Sequence, residues 1–122
     1  MEEGGDGFAL VDAVDGFGEQ RGDGRHVLLV DDMTETAGTL AAAAKLLIER
    51  GAKSVRAIVS HAVLNELALE RLAESSIEEL ICTNSTPMAQ GDKVTTISVA
   101  PLLAEAIQRI HHGKSVSSLF HT

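Results

Sequence analysis

The sequence predicts an α/β fold, a mostly parallel sheet with flanking helices, and three observations carry the prediction. Short apolar runs alternate with amphipathic stretches of helical period. Their order is strand, helix, strand, helix, strand, strand, helix, which implies a largely parallel sheet with covering helices. A run of small and hydroxyl residues follows the first strong strand, where open α/β sheets place their ligands.

Taken in order, residues 1–25 are punctuated by Gly4, Gly5, Gly7, Gly16, Gly18, Gly22 and Gly24. This composition predicts a flexible acidic leader over 1–25, with one weak strand at Phe8–Val11. The composition changes at His26, so the folded domain is expected over 26–122. His26–Val30 is a continuous apolar run that reads as a strand buried on both faces. Leu40, Ala43, Ala44, Leu47 and Ile48 then recur at helical spacing until Gly51 stops them. Ser54–Ser60 is a second strand, and Leu64, Leu67, Ala68 and Leu72 mark a second helix. Glu79–Thr83 and Val94–Val99 read as third and fourth strands. Pro101 opens a last helix at a first-turn position where proline is tolerated. Leu103, Ala106, Ile107 and Ile110 are expected to be its buried stripe, and Gly113 ends it.

The composition excludes several classes. A chain of 122 residues with 44% hydrophobic content can bury a modest single core. No apolar run approaches the roughly 20 residues that span a bilayer, and the acidic N-terminus is unlike a signal peptide. The single cysteine, Cys82, forms no internal disulfide and suits a reducing cytoplasm, the expected location. Residues 1–25 hold seven acids against two bases, a net of −5, leaving −3 of the total −8 for the rest. That balance disfavours nucleic acid. It does not forbid an anionic small ligand, because backbone N–H groups can hold a phosphate.

The chemistry concentrates in Val30-Asp31-Asp32-Met33-Thr34-Glu35-Thr36-Ala37-Gly38-Thr39. N–H groups from Thr36 to Thr39, at the start of a helix, can cradle a phosphate, and the Thr36 and Thr39 hydroxyls can add donors. Ala37 and Gly38 allow close approach to the main chain. Asp31 and Asp32 offer acceptors for the vicinal hydroxyls of a sugar, or for a magnesium ion bound to them. Phosphate and diol one short loop apart describe a ribose 5-phosphate. The same residues also fit a plainer account, a turn and helix cap with small residues for tight packing.

The loop Asp31-Asp32-Met33…Thr36-Ala37-Gly38-Thr39 resembles the ribose-phosphate loop shared by phosphoribosyltransferases and ribose-phosphate pyrophosphokinases (PRPP synthetases). Other segments narrow the resemblance to the synthetases: Glu49–Val55, Ser60-His61, Glu70-Arg71, Thr83–Pro87, Ser98–Ile107, Arg109–His111 and Ser115–Phe120. Together they cover residues 26–120 in order. The resemblance implies a type I phosphoribosyltransferase-like fold, incomplete at its N-terminal side. It implies the chemistry of ATP and ribose 5-phosphate going to PRPP and AMP, with magnesium, in nucleotide biosynthesis.

By the same resemblance Thr36, Ala37, Gly38 and Thr39 hold the 5-phosphate, while Asp31 and Asp32 take the ribose hydroxyls. Glu35 stands where the family normally has Asp, moving the carboxylate by about one carbon–carbon bond. Ser115, Ser117 and Phe120 match a segment associated with regulatory phosphate or nucleotide binding between subunits. Implied partners are ribose 5-phosphate or PRPP, further copies of the chain or a full-length synthetase, and ATP once a complementing half is supplied. The family's ATP-binding half has no match here, and its Lys/Arg loop has no counterpart in Gly4–Gly24, so no catalytic residue is carried over. The alternative expectation is a catalytically inactive relative acting as a ribose-phosphate-binding or regulatory subunit. After His61 the family has a Ser-Gly pair where this chain reads Leu64-Asn65-Glu66. His61, at a strand end facing the cleft, is a candidate for a role toward the ligand. Cys82 reads as a core thiol, and His111 and His112 as partners of a helix C-terminus.

Overall fold

A computed structural model describes residues 8–12, 24–87 and 90–120 of the chain. The elements run β1 (Phe8–Asp12), β2 (His26–Thr34), α1 (Gly38–Glu49), β3 (Ser54–Ala62), α2 (Glu66–Glu74), β4 (Ile77–Thr83), β5 (Val94–Ile97) and α3 (Ala100–His111), with a 3-10 turn at Ser117–Phe120. The strands form one sheet in the order β1-β2-β3-β4-β5, and every neighbouring pair is parallel. The predicted α/β class is the observed one. The short apolar stretch near Phe8 pairs with β2, Phe8 opposite His26 through Asp12 opposite Val30. The remainder of the expected leader, apart from Gly24 and Arg25, lies outside the described residues.

Strands laid down in sequence order mean that each crossover steps the same way along the sheet. Right-handed connections then place α1 and α2 on the same face, and the two helices do touch each other. The core lies beneath them. Val27 and Leu29 of β2, Val55, Ala57 and Val59 of β3, and Leu80 and Cys82 of β4 meet Leu40, Ala43, Ala44 and Leu47 of α1 and Leu72 of α2. Cys82 is the expected core thiol. The expectation that β2 is buried on both faces is corrected: Leu28 and Val30 are only half-buried, because the helices cover one face alone.

A β-bulge explains why the sequence pattern misses the start of β4. Val55 pairs with Ile77 but Arg56 pairs with Glu79, so Glu78 is the extra residue. The bulge shifts the side-chain phase by one, and both Ile77 and Leu80 reach the core. Period-two reading breaks at that point.

Helix α1 ends in a Schellman turn, with Gly51 N–H donating to the Ile48 carbonyl and Ala52 N–H to that of Leu47, each at 3.0 Å. The turn requires the left-handed φ of 97° that Gly51 supplies. Helix α3 closes the same way through Gly113 and Lys114. His112 occupies its C-cap, and the Nδ1 of His112 lies 2.8 Å from the Gln108 carbonyl. The expected buried stripe on α3 is absent: Leu103, Ile107 and Ile110 are 57%, 66% and 68% exposed. The helix follows the edge strand β5, and no other described element covers it. Among the described residues no helix is long and apolar enough to cross a membrane.

Candidate functional site

The acidic pair lies within β2, which runs on to Thr34 before the chain turns through Glu35, Thr36 and Ala37 into α1. Asp31 is half-buried and Asp32 exposed, and the Asp32 N–H donates to Asp31 Oδ1 at 2.8 Å. That bond holds one carboxylate oxygen of Asp31 against its own main chain.

The loop turns on Ala37, whose φ of 58° and ψ of 3° lie in the left-handed region. A non-glycine residue there carries roughly 1–2 kcal/mol of backbone strain. Burial of the Ala37 methyl, only 1% exposed, helps hold it. The Ala37 carbonyl accepts from Ala41 N–H at 2.9 Å, so the strained residue is stitched into the first helical turn. Thr36 Oγ1 accepts from Gly38 N–H at 3.2 Å. The N-cap residue Ala37 offers no side-chain cap, and the first turn of α1 holds no acidic residue. The positive end of its dipole therefore meets no carboxylate from its own first turn, an arrangement that suits an anion, while Asp31 and Glu35 border the hollow beside it. Behind the loop, Arg71 Nη1 of α2 reaches the Thr36 carbonyl at 3.5 Å.

Asp31, Met33, Thr34, Glu35, Thr36, Thr39 and Leu40 line an open hollow of about 440 Å³. The structure thus brings Asp31, Glu35, Thr36 and Thr39 to one concavity. Ala37 and Gly38 belong to its supporting loop, and Asp32 is on the strand beside it. The donor set suits a magnesium ion held by one or two carboxylates together with ligand oxygens. Among the described residues no group of three or more acidic, histidine or cysteine side chains forms a self-sufficient metal cage.

The neighbouring strand ends carry a second polar cluster. His61 Nδ1 lies 2.7 Å from Ser85 Oγ. Thr83 Oγ1 donates toward the Ser60 carbonyl at 2.6 Å and approaches Ser85 Oγ at 2.9 Å. Asn84 also bridges forward: its Oδ1 accepts from Val99 N–H at 2.9 Å at the start of α3. Single-sequence reading missed these partners, although a histidine at one strand end and a Thr-Asn-Ser run at the next were visible.

Ser115 and Ser117 come together elsewhere, after α3, with Phe120 at the end of the following 3-10 turn. Ser115 Oγ is 2.8 Å from Ser117 Oγ and accepts from Ser117 N–H at 3.1 Å, while Arg109 Nη1 donates to the Ser115 carbonyl at 3.1 Å. Phe120 is 81% exposed. A hollow of about 470 Å³ lies alongside, lined by Glu105, Gln108, Arg109, His112 and Lys114. It sits against an uncovered helix and not at the ends of the sheet strands. Strands β3 and β4 separate β2 from β5, which leads into α3, so this region is distinct from the loop after β2.

Comparison with known proteins finds the family described as "Phosphoribosyl synthetase-associated domain" over residues 19–121. The chain is 56% identical over 97 residues to a ribose-phosphate pyrophosphokinase of Helicobacter pylori, covering 79% of this chain and 30% of that protein. It is 50% identical over 97 residues to ribose-phosphate pyrophosphokinase A of Dictyostelium discoideum, covering 76% of this chain and 31% of that one. The crystal structure of phosphoribosylpyrophosphate synthetase from Mycobacterium smegmatis superposes with a TM-score of 0.74 at 39% identity. That match covers 77% of this chain and 33% of the other. The chain therefore spans about a third of the length of the relatives it matches.

Proposed function

The chain belongs to the phosphoribosyl synthetase-associated domain family, and from that premise we propose that it supplies the ribose-5-phosphate side of a PRPP-forming site. In this reading the N–H groups of residues 36–39 hold the 5-phosphate. Asp31 and Asp32 accept hydrogen bonds from the ribose hydroxyls, and Glu35 borders the same hollow. The observation that carries the reading is the N-terminus of α1, which its N-cap residue Ala37 leaves without a side-chain cap, reached through that left-handed residue one turn from two carboxylates near the end of β2.

The reaction is the transfer of a diphosphoryl group from ATP to the anomeric hydroxyl of the sugar, giving PRPP and AMP. What this chain contributes is positioning: fixing the phosphate and the diol leaves the anomeric hydroxyl one orientation for in-line attack. Asp31 or Asp32, together with ligand oxygens, would hold a magnesium ion, which would supply neutralisation of phosphoryl charge. In this reading a full-length synthetase supplies the ATP side. The exposed apolar row of α3 and the half-buried Leu28, Val30, Ile58 and Ile81 on the uncovered sheet face support such an association. A second reading, a ribose-phosphate-binding or regulatory subunit without catalysis, draws on the Ser115–Ser117 turn beside Arg109.

Isothermal calorimetry of ribose 5-phosphate with magnesium, on wild type and Asp32→Ala, tests the shared core of both readings. Saturable binding that is lost in the variant is the expected result. No heat from a wild-type chain shown to be folded by circular dichroism overturns the site. AMP formation only on addition of a full-length synthetase inactivated in its own ribose loop separates the catalytic reading from the regulatory one.

A further inference from the structure

We propose that His61 is a sugar-hydroxyl acceptor of the ribose-phosphate site, its ring tautomer set by Ser85; the inference rests on the reading of that site given above. His61 lies in the last part of β3 and registers with Met33 across the β2–β3 ladder, one residue beyond Asp32. Adjacent parallel strands are about 4.8 Å apart, so the backbone of His61 stands at the same C-terminal strand ends as the acidic pair, with its ring against Ser85 on the β4 side. The ring is exposed to solvent.

The proposed tautomer is the one that fills the most hydrogen bonds. Three oxygens, the Ser60 carbonyl, Thr83 Oγ1 and Ser85 Oγ, lie 2.6, 2.9 and 3.1 Å from one another. The carbonyl has no proton and the two hydroxyls have one each, so two of the three contacts are filled only when both hydroxyl protons stay inside this triangle, the arrangement proposed. The 2.7 Å contact between His61 Nδ1 and Ser85 Oγ then draws its proton from the imidazole. With Nδ1 protonated, neutral His61 presents Nε2 as a bare lone pair, and among the described residues no second partner holds the ring. A lone pair seeks a donor. A sugar hydroxyl is one, whereas a fully ionised phosphate offers only acceptors. The chemistry of the fixed tautomer therefore points to the sugar and away from the 5-phosphate.

The test pairs calorimetry with nitrogen-15 NMR of the histidine rings. His61→Ala should weaken ribose 5-phosphate binding about three- to tenfold, the size of one neutral hydrogen bond. It should leave the affinity for inorganic phosphate unchanged. Long-range proton–nitrogen spectra of wild type should show Nδ1 protonated and Nε2 shifting on addition of ribose 5-phosphate. Ser85→Ala, which keeps the imidazole, should give a mixed tautomer and a smaller loss of affinity, and it covers the case in which His61→Ala fails to fold. Equal ribose 5-phosphate affinity in wild type and His61→Ala overturns the inference, as does a loss shared equally by phosphate, which would mark a structural role. If Asp32-dependent binding persists while His61 is silent, only this inference falls. If wild type binds no ribose 5-phosphate, the site reading falls and takes this one with it.

Discussion

Lys93, immediately before β5, donates through its ammonium to the carbonyls of both Leu72, at 3.2 Å, and Ser75, at 3.0 Å. It thereby places a positive charge at the C-terminal end of α2, where the helix dipole is negative, and ties the β4–β5 connection to the β3–β4 crossover. Hydrogen bonds to a charged donor contribute about 1.5–3 kcal/mol each when buried and less where water competes. Lys93 is only half-buried. Lys93→Met is expected to lower unfolding stability by about 1–2 kcal/mol, read as a lower urea midpoint with an unchanged slope. An unchanged midpoint would show that water serves those carbonyls equally well.

Asn65 caps α2: its Oδ1 accepts from Ala68 N–H at 2.9 Å. The departure from the Ser-Gly pair of the resembling family is thus a helix N-cap in this chain. Asn65→Ala should destabilise by about 1 kcal/mol and Asn65→Asp should be tolerated, since aspartate caps equally well. Thermal melts of the three proteins decide it. Equal melting of Asn65→Ala and wild type would remove the cap from the account.

Ala37 supplies a paired contrast. Ala37→Gly relieves the left-handed strain but loses a buried methyl, worth about 0.8 kcal/mol. The two effects oppose, and the expected net change is within about 1 kcal/mol. Ala37→Val adds a β-branched residue at positive φ to a buried position, and should cost about 2 kcal/mol or more along with ribose 5-phosphate binding. Denaturant unfolding and calorimetry of both variants test this; a valine variant as stable as wild type would show that the loop is not held in this conformation.

Gly38 separates folding from binding. A Cβ built there meets Thr36 Oγ1 at 3.4 Å, ordinary contact, so alanine fits the protein itself. Gly38→Ala at the first helical position should raise stability by about 0.4–1 kcal/mol. Its methyl would stand over the N–H groups proposed to hold the phosphate, and ribose 5-phosphate affinity should fall at least tenfold. Unimpaired binding in a stabilised variant would move the phosphate away from this loop.

The local chemistry was legible from residue spacing. Leu40, Ala43, Ala44 and Leu47 declared the buried face of α1, and the continuous run His26–Val30 declared β2. The residues from Asp31 to Thr39 declared a strand-to-helix junction, because strand and helix periods and the conformational range of small residues are properties of neighbours in the chain. Ile48 shows the limit of such a pattern: it shares the helical spacing, yet it is 38% exposed at the last turn.

What tertiary structure alone decided depends on pairings between distant residues. The order β1 to β5 put α1 and α2 on one face, leaving Leu28 and Val30 half-buried where the run of apolar residues promised two covered faces. The bulge at Glu78 rephased β4. The apolar stripe of α3, clear in the sequence, met no partner among the described residues. The contact between His61 and Ser85 spans 24 positions, and only the register of β3 against β4 brings the two together. Periodicity states which side of an element is apolar; register and crossover direction, set by long-range packing, state what that side meets.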